Sequence, residues 1–281
     1  MNMRIIADSS CDLFTLDTPD FRTVPLCVYT DERSFTDDEN LDLHEMLDYL
    51  ALYRGRSYTS CPSSEAWMKE FEGADEIFVV TVTSSLSGSY NSAKCAADMW
   101  REEHPDTKIS VIDSLSTGGE EILLLKKLAD LERSGKTFEE IDEEIRAYQK
   151  TTRLFFSFFS LHNLSQNGRV NKAVASMLCA LNIAVSGTAS AEGTISVTGK
   201  ARGRRKVVKV LMEQLDNAGY NGGRVVITHA ESEELADMLK EAVLAKYPSA
   251  EISIYLTRGL CGYYMERRGV VISCETDRIY Q

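Results

Sequence analysis

The residues best suited to chemistry in this chain are hydroxyls gathered in two turns. One is Thr59-Ser60-Cys61-Pro62-Ser63 and the other is Ser84-Ser85-Leu86-Ser87-Gly88-Ser89. The second follows the apolar run Ile77-Phe78-Val79-Val80, which reads as a buried parallel strand, and precedes residues 90–100, which read as a helix. A Ser/Gly turn between a strand's carboxyl end and a helix's amino end is where α/β proteins hold anions. Free backbone N–H groups, the helix dipole and short hydroxyls there point at one small oxyanion. In that reading Ser87 offers a hydroxyl and Gly88 a backbone N–H, to a carboxylate or a phosphate. The turn at 84–89 also reads as a plain serine cap, worth on the order of 1 kcal/mol, and Pro62-Ser63 as a plain helix entrance. Two such turns at neighbouring strand ends favour convergence on one ligand. No general base stands nearby and the four histidines are scattered, so the pattern suits holding an acidic group rather than reacting with it.

Other candidates are weaker in isolation. Arg169, in Asn167-Gly168-Arg169-Val170, offers a guanidinium to an acidic ligand or to a carboxylate across a domain interface; it also reads as a surface arginine beside a glycine turn. Lys200-Ala201-Arg202-Gly203-Arg204-Arg205-Lys206 is the one basic cluster in an acidic chain, fit to dock an acidic partner or to serve as a solvated loop. Asp8 and Asp12 flank Ser9-Ser10-Cys11 at the end of the first strand; a pair of carboxylates suits a metal or acid/base work, whereas loop anchoring and turn capping use the same residues structurally. Cys61 has no histidine beside it in sequence, and His162 and His229 simply follow apolar runs. Neither GxGxxG after the first strand nor GxxxxGK[ST] occurs, so the nucleotide fingerprints are missing.

The elements that must position these groups alternate along the chain. Strands are expected at 5–7, 24–29, 77–82, 109–112 and 154–161, with helices at 41–52, 63–71, 90–102, 120–133 and 137–150, the last opened by a Thr137/Glu140 capping box. Such alternation predicts a mainly parallel sheet with helices on both faces. Beyond it, helices are expected at 171–181, 206–215 and 233–246, and strands at 194–197, 225–227, 251–256 and 270–273. At 281 residues two domains are expected, 1–160 and 161–281. A formal charge of −12 argues against nucleic acid as a partner and against steady binding to an anionic membrane. The seven cysteines form no CxxC pair, which fits a reduced cytoplasm without zinc or disulfides. The amino-terminal residues run directly into a strand, with no signal-peptide pattern and no apolar stretch long enough to span a bilayer, so a cytoplasmic protein without membrane insertion is expected.

Several segments together resemble the DegV family, the fatty-acid-binding subunits of bacterial fatty acid kinase. Asp8-Ser9-Ser10-Cys11-Asp12-Leu13 is similar to its DSS-x-DL, Thr59-Ser60-Cys61-Pro62-Ser63 to its TSQPS, and Leu86-Ser87-Gly88-Ser89-Tyr90-Asn91-Ser92-Ala93 to its LSGTYQSA. Asp113-Ser114 with Gly118-Gly119, residues 161–170 and residues 200–206 resemble its DS…GG, LxxLxxGGRI and K-x-RGRKK segments, in the family's order over nearly the whole chain. The resemblance implies two α/β domains, the first with a mainly parallel sheet flanked by helices and the second with a mixed sheet, closing over one lipid. It implies a carboxylate held by Thr59, Ser87 and Arg169, with Ser60 and Gly88 as neighbouring donors. It further implies that the chain catalyses nothing, uses no cofactor or metal, and presents a long-chain fatty acid to a separate ATP-dependent kinase that makes the acyl phosphate. One departure stands out: where the family carries GxHxGPG, this chain has Gly262-Tyr263-Tyr264-Met265-Glu266-Arg267-Arg268-Gly269, with Tyr264 roughly at the histidine's place. The expected tail tunnel draws on residues 154–159 and 177–183. The rival readings are an enzyme acting on a small phosphorylated or carboxylated metabolite through Cys61 or Asp8, and a lipid-sensing regulator acting through residues 200–206.

Overall fold

The computed structural model of the chain describes residues 2–171, 173 and 182–280. The first stretch runs β1 (Met3–Asp8), β2 (Phe21–Val24), β3 (Cys27–Tyr29), β4 (Ser34–Thr36), α1 (Leu43–Leu52), β5 (Tyr58–Ser60) and α2 (Ser64–Phe71). Next come β6 (Glu76–Thr81), α3 (Ser89–Glu103), β7 (Lys108–Asp113), α4 (Gly119–Arg133) and α5 (Phe138–Gln149). The remainder is β8 (Thr152–Phe158), α6 (His162–Gln166), β9 (Ile183–Ala189), β10 (Ile195–Arg202), α7 (Arg204–Asn217), β11 (Gly223–His229), α8 (Glu233–Lys246), β12 (Ala250–Leu256), α9 (Gly259–Met265) and β13 (Val270–Glu275).

The four strands β2-β1-β6-β7 form an all-parallel sheet. Its residues are sorted by the period of two. Ile5, Phe78, Val80 and Ile112 pack beneath α4 and α5, while Ile6, Ile77, Val79 and Ile109 pack against Trp67 and Phe71 of α2 and the alanines of α3. Both faces are buried, which is why these strands read as unbroken apolar runs. The expected Thr137/Glu140 box forms reciprocally and Ser63 accepts the Ala66 N–H at its helix entrance; α1 is capped by Asp42, which accepts the Glu45 N–H.

The single strand expected at 24–29 is in fact two. β2 ends at Val24 in the parallel sheet, and β3 begins at Cys27 in a separate antiparallel sheet of order β4-β3-β5. Pro25 stands between them, and without an N–H it cannot continue a ladder. The small sheet matters because β5 carries Thr59, paired to Val28.

The second large sheet is mixed, in the order β10-β9-β8-β13-β11-β12. The strand expected at 154–161 appears as β8, which pairs with β13 on one side and β9 on the other. The helix expected at 171–181 and most of the 177–183 stretch lie outside the described residues. In this sheet Phe155, Val225, Ile227, Val270 and Ile272 meet α7 and α8, while Leu154, Phe156, Phe158 and Val271 point to the opposite face. That opposite face looks at the carboxyl ends of the parallel strands.

Candidate functional site

Between the two large sheets lies a cavity whose lining is largely apolar. One wall is the loops that follow the parallel strands: Asp12 after β1, Thr83, Leu86 and Ser87 after β6, and Ser116 to Gly118 after β7. The other wall is the inner face of the mixed sheet, chiefly Leu154, Phe156, Phe158 and Val271, with α9 closing the side through Leu260, Tyr264 and Met265. The carboxyl ends of parallel strands are where α/β sheets leave a crevice.

Thr59, Ser87 and Arg169 all line this one cavity, although they come from three separate segments. Ser60 and Gly88 are not among its lining residues. Gly88 instead starts α3, and a Cβ built there would stand 3.1 Å from Cys61 Sγ, so the two hydroxyl turns are in direct contact. Thr59 Oγ1 lies 2.7 Å from the Tyr264 hydroxyl, and the Arg169 guanidinium sits 5.8 Å from the centre of the same ring. Arg169 Nε donates to the Leu86 carbonyl at 3.1 Å and Nη1 to the Asn167 carbonyl at 2.5 Å. Among the described residues it pairs with no carboxylate. A half-buried cation held by neutral carbonyls beside three hydroxyls is a ready site for an anion. Burial raises the Tyr264 phenol above its usual range, offset by Thr59 and the Arg169 charge, so it stays a neutral O–H donor at physiological pH.

The hydroxyl turn is held by carboxylates behind it. Asp8, fully buried, accepts the N–H and hydroxyl of Ser10 through Oδ1, and the Val82 N–H and Ser89 hydroxyl through Oδ2. Asp113 Oδ1 takes the Ser84 N–H at 3.1 Å and the Leu115 N–H at 3.0 Å. The tip of the β9–β10 hairpin docks on the turn, where the Ser85 hydroxyl donates to the Glu192 carbonyl. Gly193 at that tip has φ +74°, and a Cβ there would collide with Thr83 Oγ1. On the other side Asp37 accepts the Gly259 and Leu260 N–H groups at 2.7 and 2.8 Å, which anchors the amino end of α9 and thereby Tyr264.

Of the groups singled out for a rival chemistry, Asp12 borders the cavity while Asp8 and Cys61 do not. Asp8 is consumed by its four donors. His229 is buried, and its Nδ1 accepts the Ser232 N–H at 3.2 Å. Among the described residues no group of three His, Cys, Asp or Glu side chains is arranged to hold a metal, and no helix is long and apolar enough to cross a membrane. Sequence reasoning reached Tyr264 only as a departure from a motif; its contact with Thr59 spans 205 residues and leaves no local signal.

Residues 2–276 match the family model described as "Uncharacterised protein, DegV family". A DegV domain-containing protein of Streptococcus pneumoniae is 43% identical over 281 residues, covering 99% of this chain and all of the relative. Among solved structures, a DegV family protein from Eubacterium eligens loaded with heptadecanoic acid superposes with a TM-score of 0.96 at 49% identity, over 98% of this chain and 100% of that one. The Streptococcus pneumoniae Fatty Acid Kinase (Fak) B3 protein loaded with linoleic acid gives 0.97 at 43% identity, over 99% and 100%. The chain belongs to the DegV family.

Proposed function

We propose that this protein binds one long-chain fatty acid in the cavity between its sheets and presents the carboxylate to a separate ATP-dependent kinase for acyl-phosphate formation. The observation that carries the reading is chemical: the cavity pairs a hydrocarbon wall with one cation that has no carboxylate partner among the described residues. In this reading Thr59, Ser87, Tyr264 and Arg169 hold the carboxylate, with Ser60 and Gly88 supporting the turns behind them. The tail runs along Leu154, Phe156, Phe158 and Val271. Each buried methylene contributes about 0.8 kcal/mol, so the tail supplies most of the affinity and a few polar groups suffice at the head. The fatty-acid-loaded Eubacterium eligens and Streptococcus pneumoniae relatives support the ligand class, and the name of the latter supports a kinase partner. The protein itself acts as a carrier with no catalytic residue, no cofactor and no metal, and works in the cytoplasm.

Native mass spectrometry of the purified chain, followed by solvent extraction, tests this. A stoichiometric fatty acid is expected, and Ser87→Ala should lower its retention with the melting temperature unchanged. An empty protein that also refuses added fatty acids would overturn the reading.

A further inference from the structure

The cavity carries a second polar feature, built from residues other than those assigned to the carboxylate. Asp12, 3% exposed, and Thr228, 0% exposed, both line it, one on the loop after β1 and the other within β11. Asp12 Oδ1 accepts the Arg258 N–H at 2.7 Å, but its Oδ2 has no partner, and neither does Thr228 Oγ1. These two atoms converge. A Cβ built on Gly118 would lie 3.2 Å from Asp12 Oδ2 and 3.6 Å from Thr228 Oγ1. Gly118, with φ +54° and ψ −120°, occupies backbone space that side-chain-bearing residues avoid, so it places no side chain between them.

Buried polar atoms are almost always hydrogen-bonded, and two orphans bordering one hydrocarbon cavity mark a place for an oxygen. The Cys261 thiol, 3.9 Å from the same point, bears on the Asp12 carboxyl, but its short contact is the one it donates to the Ser10 carbonyl at 3.2 Å, and it leaves Thr228 Oγ1 without a partner. Burial holds the Asp12 carboxyl well above the usual carboxylate range; the Arg258 N–H opposes this and the Asp37 charge adds to it. A neutral carboxyl offers an O–H donor, and the threonine hydroxyl gives or accepts as required. A methylene satisfies neither group, whereas an alcohol, with one donor and two acceptor sites, satisfies both.

The geometry points to a hydroxyl subsite inside the cavity, at which Asp12 and Thr228 hold an in-chain alcohol of a hydroxylated fatty acid. This rests on the fatty-acid reading above. The test uses the delipidated full chain, titrated with a long saturated fatty acid and with its monohydroxylated isomers, the hydroxyl walked along the chain. One position, or two adjacent ones, should bind about tenfold tighter than the parent acid, equivalent to about 1.4 kcal/mol. Thr228→Val should erase that preference while leaving the parent acid within about twofold, and Thr228→Ser, which keeps the hydroxyl and guards against a folding defect, should retain it. An isomer series that is flat or uniformly weaker than the parent overturns the subsite and leaves the fatty-acid reading standing; a crystal showing only a water between the two side chains would then explain the orphans. A preference that survives Thr228→Val overturns it as well. If the parent acid itself fails to bind, both readings fall.

Discussion

The two faces of the six-stranded sheet are made by alternate residues of the same strands, yet they do opposite things. The outer face, with Phe155, Val225, Ile227, Val270 and Ile272, is sealed by α7 and α8 through Leu211, Leu215, Leu235 and Leu239. Its polar members satisfy each other: Ser157 and Ser186 lie 2.6 Å apart, hydroxyl to hydroxyl. The inner face is as apolar at Leu154, Phe156 and Val271, but it also carries Thr228 and Ser273, whose hydroxyls have no partner. The difference comes from what stands opposite. A helix presents side chains that interdigitate with a sheet until no space remains. The carboxyl ends of a parallel sheet present loops and helix starts, which cannot fill a face in that way and so leave room for a ligand.

The contrast breaks most visibly through Leu211, which is fully buried beneath the outer face. Leu211→Ala should cost about 2–5 kcal/mol in denaturant unfolding while the folded protein keeps its bound lipid, because the lost contacts lie on the sealed side. Val271→Phe tests the other side. The larger ring takes the place of the tail, so extracted fatty acid should fall well below one per chain while the melting temperature moves little. Equal destabilisation by the two substitutions would show that the inner face is ordinary core.

Much of this arrangement could be read from residue types. The parallel sheet followed from apolar runs alternating with helical patterns, and the cavity's polar side from hydroxyls set between a strand and a helix. Three things stayed hidden, each for a physical reason. The run Leu154-Phe155-Phe156-Ser157-Phe158 is apolar on both faces, so its pattern does not tell the ligand face from the helix face. The short strands β4 and β5 hold only three residues each, too few for a period to register, although β5 carries Thr59. The third is the polar matching across the sheets, such as Asp12 to Arg258 and Asp37 to the start of α9, which joins residues more than two hundred positions apart.

The smallest expected effect concerns α4, the helix that covers the rest of the inner face and buries two glutamates in its first turn, where the outer face buries none. Glu121 is fully buried there, and the Ser10 hydroxyl lies 2.6 Å from its Oε1 and 2.5 Å from Asp8 Oδ1. One hydroxyl proton cannot serve two carboxylates. Asp8 accepts it, held by further donors, so Glu121 carries its own proton and donates to Ser10. Burial, reinforced by the Asp8 charge, pushes the Glu121 carboxyl well above its usual range, in agreement with that count. For a carboxyl raised in the folded state, the stabilisation is full below the unfolded value of about 4.3 and is lost as pH climbs through the folded value. Glu121→Gln keeps a neutral donor to Ser10 at every pH. The variant and the parent should therefore melt alike near pH 4, with the variant pulling ahead by on the order of 1 kcal/mol at neutral and alkaline pH. Melting curves across that range decide it: Asp37 titrates alike in both proteins, while Asp8 and Asp12 feel the Glu121 charge, so the difference reports the coupled carboxyl cluster. Parallel profiles, or a variant that is weaker at alkaline pH, would mean that Glu121 is ionised in the fold and that Asp8 carries the proton instead.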